Sequence, residues 1–377
     1  MKTIAIFSAY CFPHLGGIET YIDNLIKELI KLDYRIVLVT TNFTENISYR
    51  ENEKLRIIKL PIYNICKDRY PIVKHNSVEK ELLKRLDNYD LSAIIVNTRF
   101  HLTSHIGAKY GYKNGIPVLL IEHGSSYITL NNKVIDFFAN RYENFLTYKI
   151  KKKVNGFYGV SERCNTWLKK INIDASGVFY NAIDKMIYDR NKIYIEKNNK
   201  IVITYAGRIL VEKGVVNLLD AFLKLDNKEN CILNIAGDGP ILNELKEKYK
   251  DKNIYFLGKL SHDDVIKLCA KTDIFVYPSM YPEGLPTSIL EAGLMKCAIV
   301  ATDRGGTKEV INDSKYGIIV EENVEDLVVK LNYLVSNPKI IAEMKENIHG
   351  RIGKKFTWNE TAKTVLKEIE KYGKEKN

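Results

Sequence analysis

The sequence predicts an α/β protein made of two doubly wound, parallel-sheet domains in series. Three observations carry that prediction. The chain has 377 residues, 45% of them hydrophobic, which suits about two domains of roughly 100–200 residues each. Short apolar runs alternate with segments of helical period from end to end, the pattern of strand–helix–strand units with right-handed crossovers. The alternation is interrupted once, by the polar stretch "MIYDRNKIYIEKNNK" (186–200), and then restarts. The expected domains are therefore 1–187 and 188–355, with 356–377 as a last helical segment.

In the first half, "TIAIFSA" (3–9) is a strand that leads into a Gly-containing turn. "GIETYIDNLIKELIKL" places Ile18, Ile22, Leu25, Ile26 and Leu29 on one helical face. "RIVLVTT" and "LRIIKLPI" read as strands, "SVEKELLKRLDNYD" as an amphipathic helix, and "LSAIIVN" as a strand. "HLTSHIGAKYGYKNG" is a helix with a glycine stop before strand "IPVLLIEHG". A long helix follows, expected to run to Gly156, with the basic tail "KIKKK". "GVFYNAID" closes the half. The second half repeats the scheme: strand "KIVITYAGRI", helix "GVVNLLDAFLKL", strand "CILNIAGDG", and helix "PILNELKEKYK" with proline at its first position. Then come strand "NIYFLGKL", helix "SHDDVIKLCAKT" with a serine cap, and strand "DIFVYPS". "YPEGLPTSILEAG", strand "CAIVATD", further helical pieces and a largely helical tail complete it.

Composition narrows the class. Cysteines at 11, 66, 164, 231, 269 and 297 form no Cys-x-x-Cys pair, so they read as reduced, mostly buried thiols of a cytoplasmic protein. The first residues read as a strand and not as a signal peptide. No run approaches the roughly 18 apolar residues of a spanning helix. The net charge is +11, and residues 1–185, with 27 Lys+Arg against 18 Asp+Glu, hold +9 of it. A basic first half suits an anionic partner there, while solvated surface lysine explains the same numbers.

Ligands of doubly wound sheets bind beyond the carboxyl ends of the strands, so the β-to-α turns are where chemistry is sought. Gly16 and Gly17 open the first helix, where backbone N–H groups can approach a phosphate. Their spacing is not that of a dinucleotide fingerprint. His123 stands at a strand end, able to exchange a hydrogen bond with a reacting hydroxyl, although a lone histidine serves structure as readily. Arg208 and Lys213 share a glycine-flanked loop and suit a departing diphosphate. "AGDGP" (236–240) reads as a tight turn, its Asp238 arguing against a bare phosphate. Glu122, Asp303 and Arg304 lie at turns without a distinguishable role. In 281–293, Gly284, Leu285 and Thr287 offer backbone donors, Pro286 is expected at the first helical position, and Glu283 and Glu291 flank this anion-attracting helix start. There is no Asp-x-Asp and no His/Asp/Glu cluster at metal-ligand spacing. Neither metal nor cofactor is expected, and protein cations would stabilise a leaving diphosphate.

The ordered set "GGIE", "EHG", "GVSE", "YNAID", "AGRILVEKG", "AGDGP", "YPEGLPTSILEAG" and "VATDRGGTKEVI" resembles the family 4 retaining glycosyltransferases of the GT-B fold. The resemblance covers nearly the whole chain and is strongest over 200–320. It implies a nucleotide-sugar donor, held mainly by the second domain, and transfer to an acceptor bound by the first. Carried over residue by residue, Glu291 would hold the ribose hydroxyls and Glu283 the hydroxyls of the donor sugar. Arg208 and Lys213 would bind the diphosphate, with Gly16, Gly17 and the backbone near Gly284, Leu285, Pro286 and Thr287. His123 would lie near the transferred sugar, and Lys259 and Leu260 near the base. The last helix would cross back to the first domain.

The expected product is a cell-surface polysaccharide, lipopolysaccharide or glycolipid. Lys149, Lys151, Lys152 and Lys153 suggest docking to an anionic membrane surface, although a basic helix end also complements its own dipole. A GT-B sugar-nucleotide epimerase or a phosphorylase is the alternative from the same fold, and the latter would need a longer chain. A non-catalytic partner subunit would show damaged motifs, whereas Arg208, Lys213, Glu283 and Glu291 are all present. No nucleic-acid reader motif occurs.

Overall fold

A computed structural model describes residues 1–11, 16–43, 51–63, 70–129, 132–191, 199–281 and 284–374. The chain divides into two compact units: Met1–Asn181 with Trp358–Asn377, and Ala182–Thr357. The division falls at 181/182, not at 187/188. The reason is local: Ile183 pairs with Thr357, and its N–H donates to the Phe356 carbonyl at 2.9 Å. Residues 192–198 of the expected linker, and Cys66, lie outside the described residues.

The first unit contains β1 (Thr3–Phe7), α1 (Gly17–Lys31), β2 (Arg35–Thr41), β3 (Leu55–Leu60), β4 (Ile62–Tyr63), β5 (Ile72–Val73), α2 (Ser77–Lys84), β6 (Leu91–Asn97), α3 (Leu102–Asn114), β7 (Val118–Glu122), α4 (Lys133–Lys151), β8 (Gly156–Gly159), α5 (Glu162–Lys170) and β9 (Gly177–Val178). Seven strands form a parallel sheet in the order β3-β2-β1-β6-β7-β8-β9. Residues 3–7 and 118–122 are buried throughout, as expected of parallel strands covered on both faces. "LRIIKLPI" is two strands, because Pro61 has no N–H to continue the ladder. Gly115, at φ 64°, ends α3 in the left-handed conformation. Helix α4 stops at Lys151, short of Gly156. That glycine instead opens β8, and a Cβ there would lie 2.7 Å from the Tyr372 hydroxyl, so close packing, not helix termination, requires it.

The second unit contains α6 (Met186–Arg190), β10 (Ile201–Ala206), α7 (Val215–Leu223), β11 (Cys231–Ala236), α8 (Leu242–Lys248), β12 (Ile254–Gly258), α9 (His262–Ala270), β13 (Ile274–Tyr277), α10 (Thr287–Leu294), β14 (Ala298–Thr302), α11 (Thr307–Val310), β15 (Ile318–Val320), α12 (Val324–Val335) and α13 (Pro338–Lys355). Its six parallel strands run β12-β11-β10-β13-β14-β15. The two prolines expected to open helices stand just before them. Helix α8 begins at Leu242, after Pro240, and Pro286 is the N-cap of α10, its ψ of 116° being extended.

Helix α14 (Trp358–Lys374) belongs to the first unit. The Trp358 ring meets Tyr21 edge-on at 5.0 Å, Thr361 Oγ1 donates to the Tyr180 carbonyl, and Tyr158 Oη donates to Glu368. Among the described residues no helix is long and apolar enough to cross a membrane.

Candidate active site

In each unit the order of strands reverses once, between β1 and β6 in the first and between β10 and β13 in the second. Such reversals splay the helices apart and leave a crevice at the carboxyl ends of the strands. Of the predicted residues that the structure describes, Gly16 and His123 follow strands of the first unit, and Arg208 and Lys259 follow strands of the second.

In the second unit, Arg208 follows β10 and is exposed, its backbone carbonyl accepting from Tyr205 Oη at 2.8 Å. Glycines let the neighbouring turns meet as bare backbone. A Cβ on Gly237, whose φ is +143°, would lie 1.8 Å from the Gly207 carbonyl oxygen. The Ile209 N–H reaches the Asp238 carbonyl at 2.9 Å, so "AGDGP" braces the Arg208 loop. Lys213 lies over the rings of Tyr281, at 4.9 Å, and Tyr277, at 5.9 Å, which directs its ammonium toward the end of β13. The Met280 N–H donates to the Glu212 carbonyl at 2.8 Å and stitches this loop to the one after β13.

That second loop leads into α10. Pro286 has no N–H, so the donors at the helix start are those of Thr287, Ser288 and Ile289, which precede the first intrahelical bond. Gly284 accepts from the Gly306 N–H, fixing the approach. Glu291, one turn into α10 and half-buried, has Oε1 3.1 Å from His262 Nε2 at the start of α9. The hydrogen bond to Glu291 raises the His262 pKa above its ordinary value. Lys259 and Leu260 stand on the same β12–α9 turn, the lysine exposed. Glu283 lies outside the described residues. Arg304 pairs with Glu322, and Asp303 pairs with Lys308 at 2.8 Å, which gives both turn residues a structural role.

In the first unit, Gly16 is the N-cap of α1, and a Cβ there would lie 2.3 Å from Glu19 Oε2. Glu19 is at the third helical position and folds back over the cap, the acidic half of a capping box. The start of α1 thus already holds an anion of the protein's own, and Gly16 and Gly17 offer a diphosphate less than their sequence suggests. His123 follows β7. Its Nε2 lies 3.0 Å from Asn97 Oδ1, while Asn97 Nδ2 donates to the Phe7 carbonyl. That orientation of the amide makes Nε2 the donor and leaves Nδ1 to accept from a hydroxyl. Burial, with the Tyr21 ring edge-on at 4.9 Å, pushes the His123 pKa down to about 3, so the ring is neutral in ordinary buffers.

Asn97, Arg99 and His262 belong to no motif along the sequence, and only the fold brings them to the site. Arg99 is 1% exposed and donates to Glu122 Oε2 at 3.0 Å and to Glu143 Oε2 at 2.7 Å. Glu122 Oε1 accepts from the Gly124 N–H, and Glu143 Oε1 from the Ile128 N–H. One buried guanidinium therefore ties β6, the segment after His123, and α4 together. Beside it Thr98, a β-branched residue, holds φ at +68°, an outlier that locates strain at this edge. The visible signal was "NTRFH" at a strand end, with a cation and a histidine where a plain turn would do. The tail lysines are partly occupied: Lys151 Nζ donates to the Asn172 carbonyl, and Lys153 Nζ to the Lys149 carbonyl at 3.4 Å.

Two Rossmann-like units, each with polar groups gathered at its strand reversal, define a two-domain, doubly wound type of α/β protein. Comparison with known proteins supplies the family. The family model for Glycosyltransferase Family 4 matches residues 15–185, and that for Glycosyl transferases group 1 matches 189–351. The chain belongs to these glycosyltransferases of the GT-B fold. It is 27% identical to an uncharacterized glycosyltransferase of Methanocaldococcus jannaschii, over 98% of both chains. It is 22% identical to the phosphatidylinositol N-acetylglucosaminyltransferase GPI3 subunit of Saccharomyces cerevisiae, covering 96% of this chain and 81% of that one. Among solved structures, Anabaena HepE in complex with UDP shares the fold with a TM-score of 0.73 at 17% identity, over 98% of this chain and 100% of that one.

Proposed function

We propose that this glycosyltransferase takes a hexose-type sugar from a UDP- or GDP-sugar and passes it, with retention and without a bound metal, to an acceptor hydroxyl in glycolipid, lipopolysaccharide or surface polysaccharide synthesis. One observation carries the reading. At the β10/β13 reversal an exposed guanidinium, Arg208, stands on one strand end and a helix start, whose first N–H groups have no intrahelical partner, on the other, while Glu291 lies one turn further along that helix. The two anion-binding features suit a diphosphate, and the carboxylate suits ribose hydroxyls. The UDP-bound Anabaena structure, of the same fold, supports a nucleotide-sugar donor.

In the reaction the bond from the anomeric carbon to the diphosphate oxygen breaks. Its electron pair leaves with the diphosphate, the acceptor hydroxyl oxygen bonds to the same face, and the hydroxyl proton passes to the departing diphosphate oxygen. Positive charge grows on the sugar and negative charge on the leaving group, so Arg208, Lys213 and the α10 start stabilise the departing diphosphate. Glu283 is assigned to the sugar hydroxyls. His123, neutral and held by Asn97, orients a hydroxyl through Nδ1 and contributes no charge. Gly16 and Gly17 keep a lesser part beside the diphosphate, and Lys259 and Leu260 flank the base. The yeast relative is named for a phosphatidylinositol substrate, which favours a lipid-borne acceptor. The protein acts at the cytoplasmic face of a membrane.

Calorimetry against UDP-, GDP-, ADP- and CDP-sugars tests the donor, and the anomeric proton of the product reports retention. Glu291→Ala is expected to weaken nucleotide binding at least about tenfold, as for a lost charge-assisted hydrogen bond. Arg208→Ala is expected to lower kcat about a hundredfold. If both variants transfer sugar at the parent rate, the site is misassigned.

A further inference from the structure

Helix α4 turns its apolar side outward. On a helix of 3.6 residues per turn, Glu143, Leu146, Thr147 and Ile150 fall on one side, and all four are buried. The opposite side carries Val134, Phe138, Tyr142, Phe145 and Tyr148, with Phe137 beside them, and every one is exposed, from 46% at Tyr142 to 67% at Val134. A surface helix of a soluble domain ordinarily shows the reverse, and contiguous exposed apolar side chains of this kind mark an interaction site.

The charges on this face identify what it meets. Arg141 lies over the Phe137 ring at 6.0 Å, Lys149 over Phe145 at 4.2 Å, and Lys152 over Tyr148 at 4.7 Å. Both acids of α4 turn away from it: Asp136 accepts from Thr129 Oγ1 at 2.7 Å, and Glu143 is buried against Arg99. The exposed face is thus aromatic and cationic with no carboxylate, in the half of the chain that holds +9 of the net charge. We propose that α4 is an in-plane docking helix for an anionic lipid bilayer, its rings seated at the acyl boundary and its cations among the headgroups. Such a helix lies on the membrane and does not span it. The rings, and not the lysine run at its end, supply most of the hold, because Lys151 and Lys153 already bond to backbone carbonyls.

The same helix is tied to the His123 edge. Tyr127 Oη donates to Asn144 Oδ1 at 2.8 Å, and the Ile128 N–H donates to Glu143. A docked α4 would hold that edge near the headgroups, where a lipid-borne hydroxyl presents itself; this purpose, though not the docking itself, rests on the glycosyl-transfer reading.

The test is flotation of the full chain with vesicles of phosphatidylcholine, alone and mixed with phosphatidylglycerol. The parent should bind the mixed vesicles at least about tenfold more strongly than the neutral ones, the preference falling with salt. The combined variant Phe138→Ser, Phe145→Ser, Tyr148→Ser should lose at least about tenfold in vesicle binding while keeping its unfolding midpoint and its nucleotide-sugar affinity. The pair Lys149→Gln, Lys152→Gln should erase the preference for phosphatidylglycerol. Failure of the parent to float with the mixed vesicles overturns the proposal, as does equal binding by the serine variant. A concentration-dependent dimer abolished by the serine variant would give the face to a second copy of the chain and overturn it too. Vesicle binding without affinity for any nucleotide sugar would remove the donor assignment and leave the docking helix intact.

Discussion

Glu291 and His262 illustrate how one residue's assignment depends on its neighbour. The carboxylate assigned to ribose hydroxyls already accepts from an imidazole 3.1 Å away. That bond raises the His262 pKa, aided by the charges of Glu291 and Asp263. A raised histidine keeps its charged pairing below its ordinary pKa and loses it as pH climbs through the raised value. Protonated His262 therefore competes with ribose, and its deprotonation releases Glu291. Nucleotide affinity is expected to rise as pH climbs past the ordinary histidine range and through the raised His262 value, and His262→Asn should flatten that rise; calorimetry as a function of pH checks it. His123 behaves in the opposite sense. Its pKa of about 3 leaves it neutral above that value, so it adds no inflection to the same profile.

At the scale of elements, the strand ends carry the chemistry and buried polar ties hold them in place. Arg99, with Glu122 and Glu143, fastens β6, β7 and α4 at one point. Burial acts to lower the pKa of the guanidinium, and the two carboxylates more than offset it. Burial raises the Glu143 pKa against the pull of Arg99. Arg99→Met would strand two buried carboxylates, so a loss of about 3–5 kcal/mol in unfolding free energy is expected from urea titration. Lowering the pH should recover part of that loss in the variant, because burial already raises the Glu143 pKa and its protonation removes one of the stranded charges. The strands, most helices and the glycine turns were legible in the sequence, since periodicity and φ restrictions are local. The Arg99 tie was not, because its three members are 23 and 44 residues apart and only the folded sheet brings them together. The end of α4 departs from the expected one for a similar reason. Gly156 resembles a stop signal locally, while its requirement comes from Tyr372 in α14.

For the whole molecule, the last helix decides how the chain is partitioned. Helix α14 completes the first unit although the second unit separates it in sequence. Trp358 and Ile369 are each 4% exposed, and Ala362 and Val365 are fully buried. Deleting residues 358–377 should cost the first unit more than about 3 kcal/mol and lower its unfolding midpoint, while hydrogen exchange in β10 to β15 stays near that of the parent. The sequence by itself determined the two α/β halves, the turns that carry polar groups, and the family, because apolar period and motif order are properties of contiguous residues. Tertiary structure alone decided three other things: that Glu19 already occupies the α1 start, that His262 faces Glu291, and that the aromatic side of α4 points outward. Each depends on which groups the folded sheet brings within a few ångströms of one another, and no local pattern along the chain encodes that distance.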